Sequence, residues 1–201
     1  ENALYYIARK PKQEEIINYF ISKGVDINLS DKEGNTAFMI AAGSNRDLPT
    51  LELLSKNVKS INQVNVKGVS ALALAVRGNS ADAVKFLLDK GANINVVDKN
   101  GDNLSSYLLQ AYNPRGMEDF EAKFKLLIDK GFDLKAVQPN GNSLYHLAVA
   151  KNDLALLKRI EPLKVDVNIK NKEGYTALHK AAMTAKDTEL MKYLISIGAK
   201  K

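Results

Sequence analysis

Of the 201 residues, 45% are hydrophobic and 26% charged, the balance of an ordinary soluble chain. No apolar run approaches the roughly 20 residues that span a membrane, and the absence of cysteine excludes disulfides, thiolate nucleophiles and cysteine-based metal sites. The formal net charge is +6, and residues 151–201 hold eleven Lys/Arg against six Asp/Glu, so a basic end that attracts an acidic partner stands beside the plainer reading of a solvated, lysine-rich surface.

The chain opens inside a helical pattern, Asn2 to Ala8, with no turn before it. This start reads as a partial first unit of a trimmed, processed or longer chain. Pro11 breaks the pattern, and Glu14–Ile21 forms a second helix that opens on acids and closes on Lys23-Gly24, as the helix dipole and a left-handed glycine prefer.

Next comes Asp31-Lys-Glu-Gly34-Asn-Thr36, a tight turn feeding a helix over Thr36–Ala42. Glycine supplies the positive φ, and the threonine hydroxyl caps the helix. A helix at Pro49–Leu54 follows, and Asn57 stands where a terminal glycine is expected. The most regular unit has helices at Ser70–Arg77 and Ala81–Leu88, separated by a Gly78-Asn79 turn. Val84, Leu87 and Leu88 form its core stripe.

The fourth unit departs most. Ser105 and Ser106 replace the apolar pattern, and about seven extra residues around Tyr112–Glu118 precede a helix at Phe120–Ile128. An insertion belongs in a solvated loop. It is either tolerated drift or a contact surface carrying exposed Tyr112 and Met117. The fifth unit places helices at Ser143–Val149 and Leu154–Ile160, with Glu161-Pro162 instead of a glycine stop. The sixth places them at Thr176–Ala182 and Glu189–Ile197.

Turn glycines fall at 34, 68, 101, 141 and 174, with spacings of 34, 33, 40 and 33. A fixed period in this range marks a repeat array, in which neighbours stack to bury a face that no unit can bury alone. The period, together with the Thr-Ala-Leu-His-x-Ala-Ala run at 176–182, resembles the ankyrin repeat. That resemblance implies an all-α solenoid of about six stacked helix-turn-helix repeats with short hairpin-like turns. One domain over 1–201 divides into repeats at about 1–28 (partial), 29–62, 63–95, 96–135 with the insertion near 112–118, 136–168 and 169–201.

The resemblance also implies function. Ankyrin arrays bind proteins on a concave side, with turn tips as fingers and first helices as palm. Carried over position by position, the expected contact residues are Lys32, Glu33 and Asn35; Val66, Lys67, Val69 and Arg77; Lys99, Asn100 and Asp102; Pro139, Asn140, Asn142 and Lys151; Lys172, Glu173 and Tyr175. This mixed-charge set favours a protein over a phosphate backbone, which asks for a more uniform positive face.

Catalysis is not expected. His146 and His179 share one repeat position, which the family uses for structural hydrogen bonds. Their helices pack roughly 8–10 Å apart and no third ligand is in phase, so no shared metal is expected. Ser143 and Thr176 lie three residues before them, a capping arrangement. One glycine per repeat builds no phosphate cradle. The reading is therefore a non-catalytic, monomeric protein-binding module without cofactor or membrane insertion. A regulatory or targeting segment of a larger enzyme or channel is the alternative, and a nucleic-acid binder using the basic end is a minor one. The composition fits the cytoplasm and export alike.

Overall fold

The helices begin where a side chain can take an orphan backbone N–H. Thr36 accepts from the Met39 amide at 3.3 Å, Ser70 from Ala73 at 3.2 Å and Ser80 from Ala83 at 3.3 Å. Asp47, Asn103 and Asp153 do the same for Thr50, Ser105 and Leu156. Helices of six to nine residues are marginal alone, so their stability comes from packing. The computed structural model describes residues 3–114, 116–184 and 188–200, with Thr188 described in its backbone only.

The contacts divide the chain into two compact units, residues 1–132 and 133–201. The first holds α1 (Ala3–Ala8), α2 (Glu14–Ser22), α3 (Ala37–Ser44), α4 (Leu48–Ser55), α5 (Ala71–Gly78), α6 (Ala81–Asp89), α7 (Leu104–Gln110) and α8 (Met117–Asp129). The odd-numbered helices pack in one row and the even-numbered in another, each pair against the next. The second unit holds α9 (Leu144–Ala150), α10 (Leu154–Ile160), a short 3-10 turn at Glu161–Leu163, α11 (Ala177–Thr184) and α12 (Thr188–Ser196). There α9 packs on α11, and α10 on α12. Extended pairing among the described residues is confined to isolated bridges, such as Val64 with Ser70.

Small residues set the inner row. Ala37, Ala41, Ala42, Ala71, Ala73 and Ala75 are fully buried, with Phe38 and Leu72 between them. Burying a side chain such as Leu72 stabilises by about 1.5–3 kcal/mol. At the closest approach, a Cβ added to Gly78 would lie 2.5 Å from the Gly43 carbonyl oxygen.

Three expectations need correction. Asn57 does not take a left-handed conformation: among the described residues, positive φ outside glycine occurs at Lys12, Asn152 and Lys164. Instead, the Asn57 Nδ2 donates to the Leu53 carbonyl at 3.0 Å. After α10 the glycine's role passes to Lys164, at φ 52°, behind the 3-10 turn. Gly78-Asn79 is not an open turn, since Gly78 ends α5 and Asn79 is buried.

The insertion in the fourth pair also differs from a free loop. α8 starts at Met117, three residues earlier than the sequence suggests. Tyr112 packs edge-on against Phe120 with centroids 5.2 Å apart, so Tyr112 and Met117 are half-buried rather than exposed. An aromatic pair of this kind adds about 0.5–1.5 kcal/mol. Asp119 ties the segment down further: it accepts the Ala81 N–H at 2.9 Å and pairs with buried Lys123 at 2.7 Å.

Ser105 and Ser106 are buried in α7, and the Ser105 hydroxyl has no hydrogen-bond partner. A buried hydroxyl of this kind costs about 1–3 kcal/mol. A stack opens locally where one pair is weak. Hydrogen exchange monitored by mass spectrometry is expected to be faster for amides of 103–120 than for those of 70–88, and equal or slower exchange contradicts that expectation.

Candidate functional site

Five finger turns precede the inner helices, at 31–36, 65–70, 98–103, 138–143 and 171–176. Each closes on itself. The first residue's N–H donates to the carbonyl four residues on, at 2.9 Å for Asp31 and Asn35 and 2.9 Å for Asn171 and Tyr175. In four fingers the first residue's side chain accepts the same fifth residue's N–H, at 2.7 Å for Asp31 and 3.0 Å for Asn171; in the remaining one, 138–143, Asn140 Oδ1 accepts the Asn142 N–H at 3.0 Å.

Fingers within a unit are joined by main-chain bonds. The Val66 N–H donates to Glu33 O at 3.0 Å, Lys99 to Lys67 O at 2.9 Å, and Lys172 to Asn140 O at 2.9 Å. Amides reinforce the row: Asn65 Nδ2 donates to Asn35 Oδ1 at 2.8 Å, and Asn171 Nδ2 to Asn142 Oδ1 at 3.0 Å. The finger glycines permit this approach. Gly34 and Gly141 sit at φ +80° and +81°, and an added Cβ would reach the next finger's backbone at 2.8 and 2.9 Å.

The candidate contact residues divide by exposure. Lys32, Glu33, Val66, Lys67, Arg77, Lys99 and Asn100 are exposed in the first unit, as are Pro139, Asn140, Lys151, Lys172 and Glu173 in the second. Asn35, Asp102, Asn142 and Tyr175 are half-buried. Asn35 and Asn142 spend their amides on the finger row, which makes them architectural. Val69, at the same finger position as half-buried Asn35, Asp102, Asn142 and Tyr175, is buried and offers a partner little surface.

Fingers and inner helices meet in grooves. In the first unit, a groove of about 610 Å³ is lined by Tyr5, Arg9, Leu29, Ser30, Asp31, Lys32, Glu33 and Ile40. In the second, one of about 380 Å³ is lined by Asn142, His146, Val149, Ala150, Lys180, Met183 and Thr184. Lys180 Nζ sits 4.9 Å over the Tyr175 ring and 2.6 Å from Glu173 Oε2. That ammonium holds the Glu173 carboxyl below its ordinary range.

Sequence reasoning missed the valine just before three of the five fingers. Val64, Val97 and Val137 are exposed to 48%, 47% and 46%. Their shared offset was the available signal. They give the fingers an apolar margin between lysines.

The polar clusters serve structure. Tyr107 donates to buried Asp98 at 2.6 Å, and burial raises its phenol pKa well above the ordinary value. His146 Nδ1 accepts from the Ser143 N–H at 3.1 Å, while Nε2 lies 2.9 Å from the Tyr175 carbonyl of the next finger. This pattern requires the neutral ring with its proton on Nε2. His179 repeats the contact with Thr176 Oγ1 at 2.7 Å. Among the described residues, no three His, Asp or Glu side chains form a metal-holding group.

Desolvation is the largest effect on His146, and it lowers the pKa below 6.5. The unfolded chain therefore binds more protons just below that value, so stability falls as pH drops through it. Melting temperature is expected to decline between about pH 7.5 and about pH 5.5, and His146→Gln is expected to flatten the decline. An unchanged slope in that variant would remove His146 as the cause.

The family model for ankyrin repeats (three copies) matches residues 4–98 and 108–201. An ankyrin repeat protein of fowlpox virus (strain NVSL), FPV031, is 36% identical over 103 residues, which is 50% of this chain and 30% of that protein. A chain in the structure of the Bd0816 predatory endopeptidase from Bdellovibrio bacteriovorus in complex with immunity protein Bd3460 superposes with a TM-score of 0.77 at 26% identity, covering 98% of each chain. The ankyrin repeat domain of Bcl-3 superposes with a TM-score of 0.68 at 24% identity, covering 90% of this chain and 77% of that one. The matched repeats, the stacked helix pairs and the hydrogen-bonded fingers agree: the chain belongs to the ankyrin repeat family.

Proposed function

We propose that this chain is a non-catalytic protein-binding module whose partner docks on the fingers and the exposed faces of the inner helices. One observation carries the reading. Side chains that differ between repeats, Lys32, Val66 and Pro139 at the second finger position and Glu33, Lys67 and Asn100 at the third, stand exposed on fingers whose backbones are bonded into a row within each unit. A surface held this way is pre-organised, which lowers the ordering cost of binding.

The full-length likeness to a chain of an endopeptidase–immunity protein complex favours a more specific version. In that version the partner is a hydrolase that the module covers and holds inactive. Using the protein as bait with whole-cell extract of its source, and assaying the captured fraction for peptidase activity with and without added protein, tests this directly. Restored activity on dissociation supports it, and a captured partner whose activity does not change leaves only the general module.

Lys172→Glu combined with Tyr175→Ala reverses an exposed charge and removes a half-buried ring without touching the finger backbone. The double variant is expected to keep its melting temperature and lose at least ~1 kcal/mol of binding to the captured partner, a hot-spot threshold. Exposed Lys125 on α8 is the control, and its change to Glu is expected to alter binding little. Isothermal titration of the three proteins decides the matter. Normal binding by the double variant, with loss on changing Tyr112 or Met117, would move recognition to the insertion.

A further inference from the structure

We infer that the groove of the second unit takes a linear protein segment in which carboxylates flank an apolar side chain; this rests on the protein-binding reading above. The floor is apolar, made by Val149, Ala150 and Met183. Met183 is 65% exposed, the most exposed large hydrophobic side chain described. A thioether in that position adapts to varied apolar shapes, and its exposure makes it the anchor point for a partner side chain.

The rim is cationic. Lys151 follows α9 at the groove's edge. Lys170 and Lys172 occupy the finger positions of Ser30 and Lys32, which line the equivalent groove in the first unit. All three are exposed, and none has an ion pair among the described residues. The acid on this finger, Glu173, is already matched by Lys180 at 2.6 Å. Three unmatched ammonium groups therefore stand on the segments that flank an apolar slot, Lys151 next to lining Ala150 and Lys170 and Lys172 on the adjoining finger, and the complementary partner supplies carboxylates around one apolar group. The first unit's groove differs, because Asp31 and Glu33 line it together with Arg9 and Lys32. The excess positive charge of residues 151–201 thus has a location and a chemical preference.

Panning a random twelve-residue phage-displayed peptide library on the intact protein tests this. Enriched peptides are expected to carry Asp or Glu on both sides of a Leu, Met, Ile or aromatic residue. As synthetic peptides they are expected to bind at least tenfold more weakly to the Lys151→Glu, Lys170→Glu, Lys172→Glu triple variant, and more weakly as salt rises. Met183→Asp is expected to weaken them while leaving the circular dichroism melt of the protein in place. Enrichment without acidic bias, equal binding to the triple variant, or no enrichment overturns the proposal. If enriched peptides instead lose binding on changing Lys32, Lys67 and Lys99, the groove assignment fails while the protein-binding reading survives.

Discussion

Replacing Asn79 with alanine is expected to destabilise the protein by about 2–4 kcal/mol, the cost of leaving buried carbonyls without donors. The Asn79 Nδ2 donates to Ala42 O at 3.0 Å and to Asn45 O at 2.7 Å, with a longer bond to Ala41 O at 3.3 Å. Ala42 and Asn45 lie in the last turn of α3 and just beyond it, where carbonyls lack an intrahelical donor, whereas Ala41 O already accepts the Asn45 N–H at 2.8 Å. The Asn79 Oδ1 also accepts the Ser80 N–H at 2.8 Å. One buried amide therefore closes one helix and starts the next. Asn45 does the same one pair earlier, donating to Ala8 O at 2.9 Å and Lys10 O at 2.7 Å. Urea denaturation followed by circular dichroism measures the loss. A change below about 0.5 kcal/mol, the scale of ordinary surface substitutions, would show that water replaces the amide readily.

Gly141→Ala is expected to cost about 3 kcal/mol, more than the roughly 1–2 kcal/mol that positive φ alone imposes on an L-residue. The companion variant Gly174→Ala isolates the difference. Gly141 and Gly174 have nearly the same φ, +81° and +82°. The Cβ at 141 meets Asn171 Cα and Lys172 N, each at 2.9 Å, whereas the Cβ at 174 meets nothing within 4 Å. The excess loss at 141 thus reports the stacking of one finger on the next, including the Lys172–Asn140 main-chain bond at 2.9 Å. Equal losses for the two variants, measured by the same denaturation, would mean that backbone strain explains both and that the finger contact contributes little.

The parts of this fold that repeat in apolar or turn residues could be read from the chain. The turn glycines, the caps at Thr36 and Ser70, the alanine faces and the helix order are all residue-type signals at fixed offsets. Boundaries moved where a local partner existed: Met117 joined α8 because Tyr112 and Phe120 pack together beside it. The asparagine staples escaped notice because a polar residue near a turn already has an explanation. Asn28 reaches Asn57 O at 3.2 Å, Asn62 reaches Gly91 O at 3.2 Å and Asn168 reaches Gly198 O at 3.0 Å. Asn45 and Asn79 stand 34 residues apart, as do Asn28 and Asn62. The period was present in the polar residues too.

For the candidate face, fingertip exposure followed from turn geometry, and most of the expected residues are accessible. Val69 shows the limit, because the fifth finger residue's side chain points inward or outward according to packing against the next helix, which spacing does not encode. The valines before three of the fingers offered only their shared offset as a signal, and Met183 offered none; their exposure is seen only in three dimensions.

A partner docked on the fingers and inner helices shields their amides from solvent. Hydrogen exchange of the protein with and without its captured partner tests that docking most directly. Exchange is expected to slow at the fingers 31–36, 65–70, 98–103, 138–143 and 171–176 and along the exposed edges of α9 and α11, with α4, α6, α8, α10 and α12 unchanged. Protection confined to those outer helices, or to residues 112–118, would contradict it.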